Sequence, residues 1–158
     1  MTEKLNSMRL LDQRKIQYTV RQFPDTIHSA DGVADYFGLP HHVVYKTLVV
    51  LPPAGKPLLV MVAGSRELNL KKVAKAVGEK KVQMATKKEA EQLTGLQTGG
   101  ISALALLQKN WRVFIDQPAL QLERVLVSAG KRGVNLELPV PDLIKITNAS
   151  AIDATGDE

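Results

Sequence analysis

"VVYKTLVVLPP", residues 43–53, is an apolar and largely β-branched run with one lysine and one threonine set into it. Such a composition predicts a strand over 45–51. A second apolar run, PLLVMVA at 57–63, follows across the turn-forming segment PPAGK. Two strand runs joined by Pro and Gly predict a hairpin, so the core begins as an antiparallel pair. Lys46 is the anomaly, because Val43, Val44, Tyr45, Leu48, Val49, Val50 and Leu51 all ask for burial. A buried ammonium is costly unless it finds a partner or water, so Lys46 either snorkels past its own stem or faces a polar cavity.

Working outward, Leu5, Met8, Leu10 and Leu11 recur near helical spacing and predict a helix over 3–15. YTVRQF at 18–23 alternates as a strand and stops at Pro24. ADGVADYF at 30–37 reads as a short helix ended by Gly38. Ser65 is the expected cap of a helix that ends at Gly78 and exposes Lys71, Lys72 and Lys75. KKVQMA is a short strand, and Thr86 with Glu89 three residues later forms a capping-box pattern. WRVFIDQ, RVLVSAG and VNLEL are strands, the last two joined by GKRG as a hairpin, and Pro141 with Asp142 opens a final helix. Strands outnumber helices and hairpins connect several of them. The expectation is one α+β domain with a curved, barrel-like mixed or antiparallel sheet flanked by helices.

Composition narrows the function. The 158 residues suit one compact core, and no run approaches the ~20 apolar residues of a membrane-spanning helix. The charged N-terminal stretch lacks a signal-peptide core, so the expected location is the cytoplasm. Without cysteine there is no disulfide frame, thiolate metal site or cysteine nucleophile. Adjacent His41 and His42 cannot share one helix or strand face as a metal pair, so no metal or cofactor is expected. The net charge of +5 points to an anionic partner. Aromatic residues make up only 4% of the chain, too few for base stacking to carry the contact.

One loop stands out. In TGGIS, residues 98–102, two consecutive glycines permit positive φ and close approach to a ligand, and successive N–H groups there can converge on an oxygen. On the doublet alone an ordinary flexible loop explains it equally well.

The ordered set YKTLVV, LNLKKVAKAVG, Gly-Gly-Ile-Ser and VSAGKRG resembles the YbaK/ProX family of aminoacyl-tRNA editing domains, from about residue 5 to residue 148. The resemblance implies an editing-type domain at 1–150, and the small, polar composition of 151–158 reads as a frayed tail. It implies a deacylase acting in trans on mischarged tRNA, with Cys-tRNA(Pro) as substrate and the substrate thiol as nucleophile. Lys46 becomes the functional lysine, projecting into the cleft with Thr47 beside it, although strand alternation separates the two. Gly99, Gly100, Ile101 and Ser102 hold the reacting end, Ser128 and Gly130 line the opposite wall, and Tyr18 and Phe23 are candidate walls. Lys131 and Arg132 are placed on tRNA phosphates. The implied partners are the acceptor end of a charged tRNA and prolyl-tRNA synthetase. Where the family loop carries proline, this chain has Ala103, which restores an N–H and removes a φ restraint. That departure keeps two alternatives open: a non-catalytic module for an aminoacylated end or a nucleotide, and a deacylase for another amino acid such as that on Ala-tRNA(Pro).

Overall fold

The computed structural model describes residues 4–156. Helix α1 (Asn6–Gln13) leads into β1 (Thr19–Gln22) and α2 (Ala30–Phe37). The hairpin β2 (Tyr45–Leu51) and β3 (Leu58–Ala63) follows with Tyr45 opposite Ala63, as the two apolar runs predict. Then come α3 (Leu70–Val77), β4 (Gln83–Met84), α4 (Lys87–Thr94) and β5 (Arg112–Asp116). The hairpin β6 (Arg124–Lys131) and β7 (Val134–Pro139), helix α5 (Val140–Thr147) and β8 (Ser150–Ile152) complete the described chain.

Local signals set most boundaries. Gly38, Gly78 and Gly95 end their helices in the left-handed conformation, and Thr86 with Glu89 forms the full capping box of α4. The cap of α3 differs from expectation. Asn69 accepts the Lys72 N–H, and Ser65 lies in the preceding turn, because an isolated bridge from Leu68 to Thr155 holds that segment extended before the helix starts. The start expected for the first helix, residue 3, lies outside the described residues.

The sheet is mixed, as expected, but divided. Strands β1, β7 and β6 form an antiparallel sheet of three, and β4, β2, β3, β5 and β8 form a sheet of five in which β3–β5 and β5–β8 are parallel. A bridge between Val44 and Leu126 ties the two together. Met61, Ile115, Leu136, Leu138 and Leu143 fill the space between them and are fully buried. The outer face of the larger sheet, with Val60 and Val62, is covered by Val73, Ala74 and Val77 of α3.

The tail corrects the sequence reading. Residues 150–152 pair with β5, and Ile152, Ala154 and Thr155 are buried. Asp116, itself buried, accepts hydrogen bonds from the Ala154 N–H and the Thr155 hydroxyl. A small polar composition suggests fraying, but here it supplies the donors that satisfy a buried carboxylate.

Candidate functional site

A cavity of about 320 Å³ opens between the first turn of α2, strand β2 and the loop after α4. Its size falls in the range of small-molecule sites. Ser29 caps α2 by accepting the Gly32 N–H, which fixes the turn carrying His28 to Asp31 at the rim. Gly64, at the end of β3, brings that turn close. A Cβ at Gly64 would stand 2.7 Å from the Ala30 Cβ and 2.9 Å from the Asp31 Oδ1.

Lys46 lines this cavity, half-buried, with Nζ 3.5 Å from the Gly64 carbonyl and no ion pair among the described residues. Thr47, buried, lines it as well. Alternation would divide these neighbours between two faces. Both nonetheless line one cavity, beside the Tyr45–Leu48 stretch of β2 that β4, paired with Val50 and Leu51, leaves uncovered.

The opposite wall is Ser128 and Asn135, which face each other across the β6–β7 hairpin. Gly99 and Ile101 close the third side. Thr98 holds that loop from two directions: its N–H donates to Glu91 at 2.8 Å and its carbonyl accepts from the Arg132 Nε at 2.6 Å. The Thr98 N–H holds the Glu91 carboxyl below the usual carboxylate range. Gly99 has φ +91°, and a Cβ there would meet the His28 backbone at 3.0 Å. At Gly100 a Cβ would meet the Arg132 nitrogen at 3.0 Å. The doublet therefore stitches the loop to two walls.

Five expected residues meet at the cavity: Lys46, Thr47, Gly99, Ile101 and Ser128. Others do not. The Gly100 N–H donates to the Gln97 carbonyl at 2.8 Å and so is engaged inside the loop instead of facing a ligand. Ser102 is buried and its hydroxyl accepts from the Ala105 N–H. Gly130, at φ +106°, forms the bulge that follows Ser128, and its N–H donates to the Ser128 Oγ. Tyr18 bonds to Asp12 in a separate hollow, and Phe23 packs edge-on against Phe37 in a third apolar cluster. Lys131 and Arg132 line a second, neighbouring hollow that shares His28 with the cavity. Ala103 is buried in the main core.

Sequence reading missed Asp31, Tyr45, Gly64 and Asn135. The N-cap serine before α2 was a signal for the first, whereas nothing local marks the others. Tyr45 is the most informative. It is 3% exposed, and its hydroxyl is buried with no hydrogen-bond partner among the described residues. Burial first, then the charge of Asp116, pushes its ionisation up to about 12. Asp31 is engaged differently, its Oδ1 lying 2.8 Å from the His41 Nδ1, while the His41 Nε2 lies 2.7 Å from Asp35.

The cavity is lined by one ammonium, by the hydroxyl-bearing residues Ser29, Tyr45, Thr47, Thr98 and Ser128, by the Asp31 carboxylate and by apolar walls, but no hydroxyl among them is hydrogen-bonded to a base. His28 places its Nε2 2.9 Å from the Asp25 carbonyl, and neither Thr47 nor Ser128 bonds to it. No cluster of metal-binding side chains occurs among the described residues. This arrangement can hold and polarise a small polar group.

Residues 25–146 match the model of the aminoacyl-tRNA editing domain. The chain belongs to the aminoacyl-tRNA editing domain family. The matched span contains every residue of the cavity. Within the family it is 35% identical, over 99% of its own length and 96% of the other's, to a protein of Enterococcus faecalis provisionally named as the Cys-tRNA(Pro)/Cys-tRNA(Cys) deacylase EbsC. It is 31% identical to a segment of the proline–tRNA ligase of Thermodesulfovibrio yellowstonii, a match covering 73% of this chain and 19% of the ligase. The editing-domain fold is shared with a solved structure provisionally described as a trans-editing enzyme for prolyl-tRNA synthetase, at TM-score 0.82, 21% identity and 99% coverage of both chains. A solved hypothetical protein superposes at TM-score 0.86 with 24% identity, covering 94% of this chain and 97% of the other.

Proposed function

We propose that the protein is a trans-acting aminoacyl-tRNA deacylase whose substrate is Cys-tRNA(Pro). The observation that carries the reading is Lys46, half-buried on the rim of a cavity that contains no side-chain nucleophile with its base. An aminoacyl ester is already activated, so a site need only orient it, stabilise charge at the carbonyl and admit a nucleophile. The cysteinyl thiol supplies that nucleophile from within the substrate. Its sulfur attacks the ester carbonyl, the carbon–oxygen bond to the ribose breaks, and the thiol proton passes to the ribose oxygen. The product is a cyclic thioester that water then opens.

In this scheme the Lys46 ammonium faces the carbonyl oxygen as it gains charge, and Thr47 and Ser128 orient the reacting end. Gly99 and Ile101 set the cavity's depth. The E. faecalis relative's name and the proline–tRNA ligase segment support the choice of tRNA(Pro) and make prolyl-tRNA synthetase the candidate partner.

The test is a deacylation panel with Cys-, Ser-, Ala- and Pro-tRNA(Pro). Turnover of the cysteinyl ester with the seryl ester left intact is the expected result, since the two differ by one atom and only the thiol is a strong nucleophile. Equal turnover of both would remove the thiol mechanism. Turnover of the alanyl ester alone would reassign the substrate, and no turnover would reduce the cavity to a binding site.

A further inference from the structure

Much of the chain's positive charge lies away from the cavity. A hollow of about 240 Å³ between α3 and the segment before β4 is lined by Lys71, Lys75, Lys80 and Lys81, with Glu79 as its one acid. All four lysines are exposed, and none makes an ion pair among the described residues. The nearby counter-charges are engaged elsewhere. Glu79 faces the Arg112 guanidinium at 3.5 Å, and Asp153 holds Lys72 at 3.1 Å.

The fold creates this cluster. Val73, Ala74 and Val77 bury one face of α3 against the sheet, which turns Lys71 and Lys75 outward together, one helical turn apart. Gly78 then reverses the chain in the left-handed conformation and returns Lys80 and Lys81 to the same hollow. Like charges at this spacing oppose helix formation, so the helix does not account for the pattern. Nor does the start of α4, where Lys87 and Lys88 stand exposed against the helix dipole.

The cluster also lies close to the cavity. Met84 lines the cavity, and Lys81 precedes it by three residues of extended chain, which span at most about 10 Å. Lys81 and Lys87 thus flank the cavity rim from either side of β4 along the chain.

We propose that the face formed by α3, β4 and the start of α4 is a docking surface for a tRNA duplex stem, holding its phosphates while the 3′ end occupies the cavity. The identity of the cavity's occupant rests on the function proposed above; the surface itself rests on the lysine cluster. Duplex RNA is recognised through backbone and shape, which suits unpaired ammonium groups on an aromatic-poor face.

The test compares three proteins: wild type, the variant Lys71→Gln/Lys75→Gln/Lys80→Gln/Lys81→Gln, and the charge-matched control Arg14→Gln/Lys15→Gln/Lys56→Gln/Lys145→Gln. Affinity for uncharged tRNA(Pro) and for a stem-only minihelix is measured by fluorescence anisotropy over a salt series. The cluster variant is expected to bind both RNAs at least ~10-fold more weakly at low salt, with the log–log salt slope reduced by roughly 3. The control should stay close to wild type. On the charged tRNA the cluster variant should raise KM, while leaving turnover of a 3′-aminoacyl-adenosine, which has no stem, unchanged. Affinity and slope equal to wild type, or a loss equal to that of the control, would overturn the surface. Binding needs no deacylation, so a protein that grips the stem through these lysines but turns over no ester refutes the proposed activity alone.

Discussion

Alanine at Gly99 should damage this protein in two separable ways. The position has φ +91°, where an L side chain is strained by about 1–2 kcal/mol. The added Cβ would also stand 3.0 Å from the His28 Cα and 3.1 Å from its carbonyl oxygen, both backbone atoms that cannot rotate away. Overpacking of this kind adds about 1–3 kcal/mol, and the restricted unfolded chain returns about 0.4–1. The net loss is about 2–4 kcal/mol, or a fall in Tm of roughly 5–15 °C for a chain of this size. Gly95 isolates the strain, with φ +74° and nothing within 4 Å of an added Cβ. Its alanine variant should lose only about 0.5–1 kcal/mol by the same reckoning. Gly100 isolates the contact, at 3.0 Å from the Arg132 nitrogen without positive φ. Urea melts of the three variants, with deacylation measured on each, give the comparison. If Gly99→Ala is as stable as Gly95→Ala and retains full turnover, the loop does not lean on His28 and this account of the doublet is wrong.

Lys46→Ala should lower deacylation by about 10²–10³-fold and shift Tm by no more than a few degrees, because the side chain is half-buried on a cavity rim; single-turnover kinetics beside a thermal melt would expose a merely structural lysine. Tyr45→Phe removes a buried hydroxyl with no partner among the described residues, so it should raise stability by about 1 kcal/mol, or roughly 2–4 °C; a drop in Tm in calorimetry would show that the hydroxyl is satisfied. His41, held by Asp35 and then Asp31, has its ionisation raised above the usual 6.5. Its contribution is therefore complete below pH 6.5 and is lost as pH rises through the higher folded value. An NMR titration of the His41 ring should show a midpoint above 6.5 that falls in the Asp35→Asn variant, and an unmoved midpoint would dismiss the pairing.

The sequence by itself determined the local framework. The β2–β3 hairpin, helix α2, the capping box of α4 and the glycine stops follow from periodicity and from hydrogen bonds between near neighbours, so a reader of residues can find them. It also determined that Lys46 is an anomaly, because a lone charge in a β-branched run breaks a pattern visible over a few residues. The tertiary structure alone decided what faces the cavity. Tyr18 and Phe23 are aromatic and near the right segment, yet their partners Asp12 and Phe37 draw them elsewhere. The Gly-Gly doublet advertises conformational freedom, but only the packed loop shows that the Gly100 N–H is engaged by Gln97 and that both glycines answer to backbones 71 and 32 residues or so away in sequence, at His28 and Arg132. The polar tail is ordered because Asp116, far upstream, needs the donors of Ala154 and Thr155. In each case the deciding contact joins residues distant along the chain, and spacing carries no record of which buried group will need which partner.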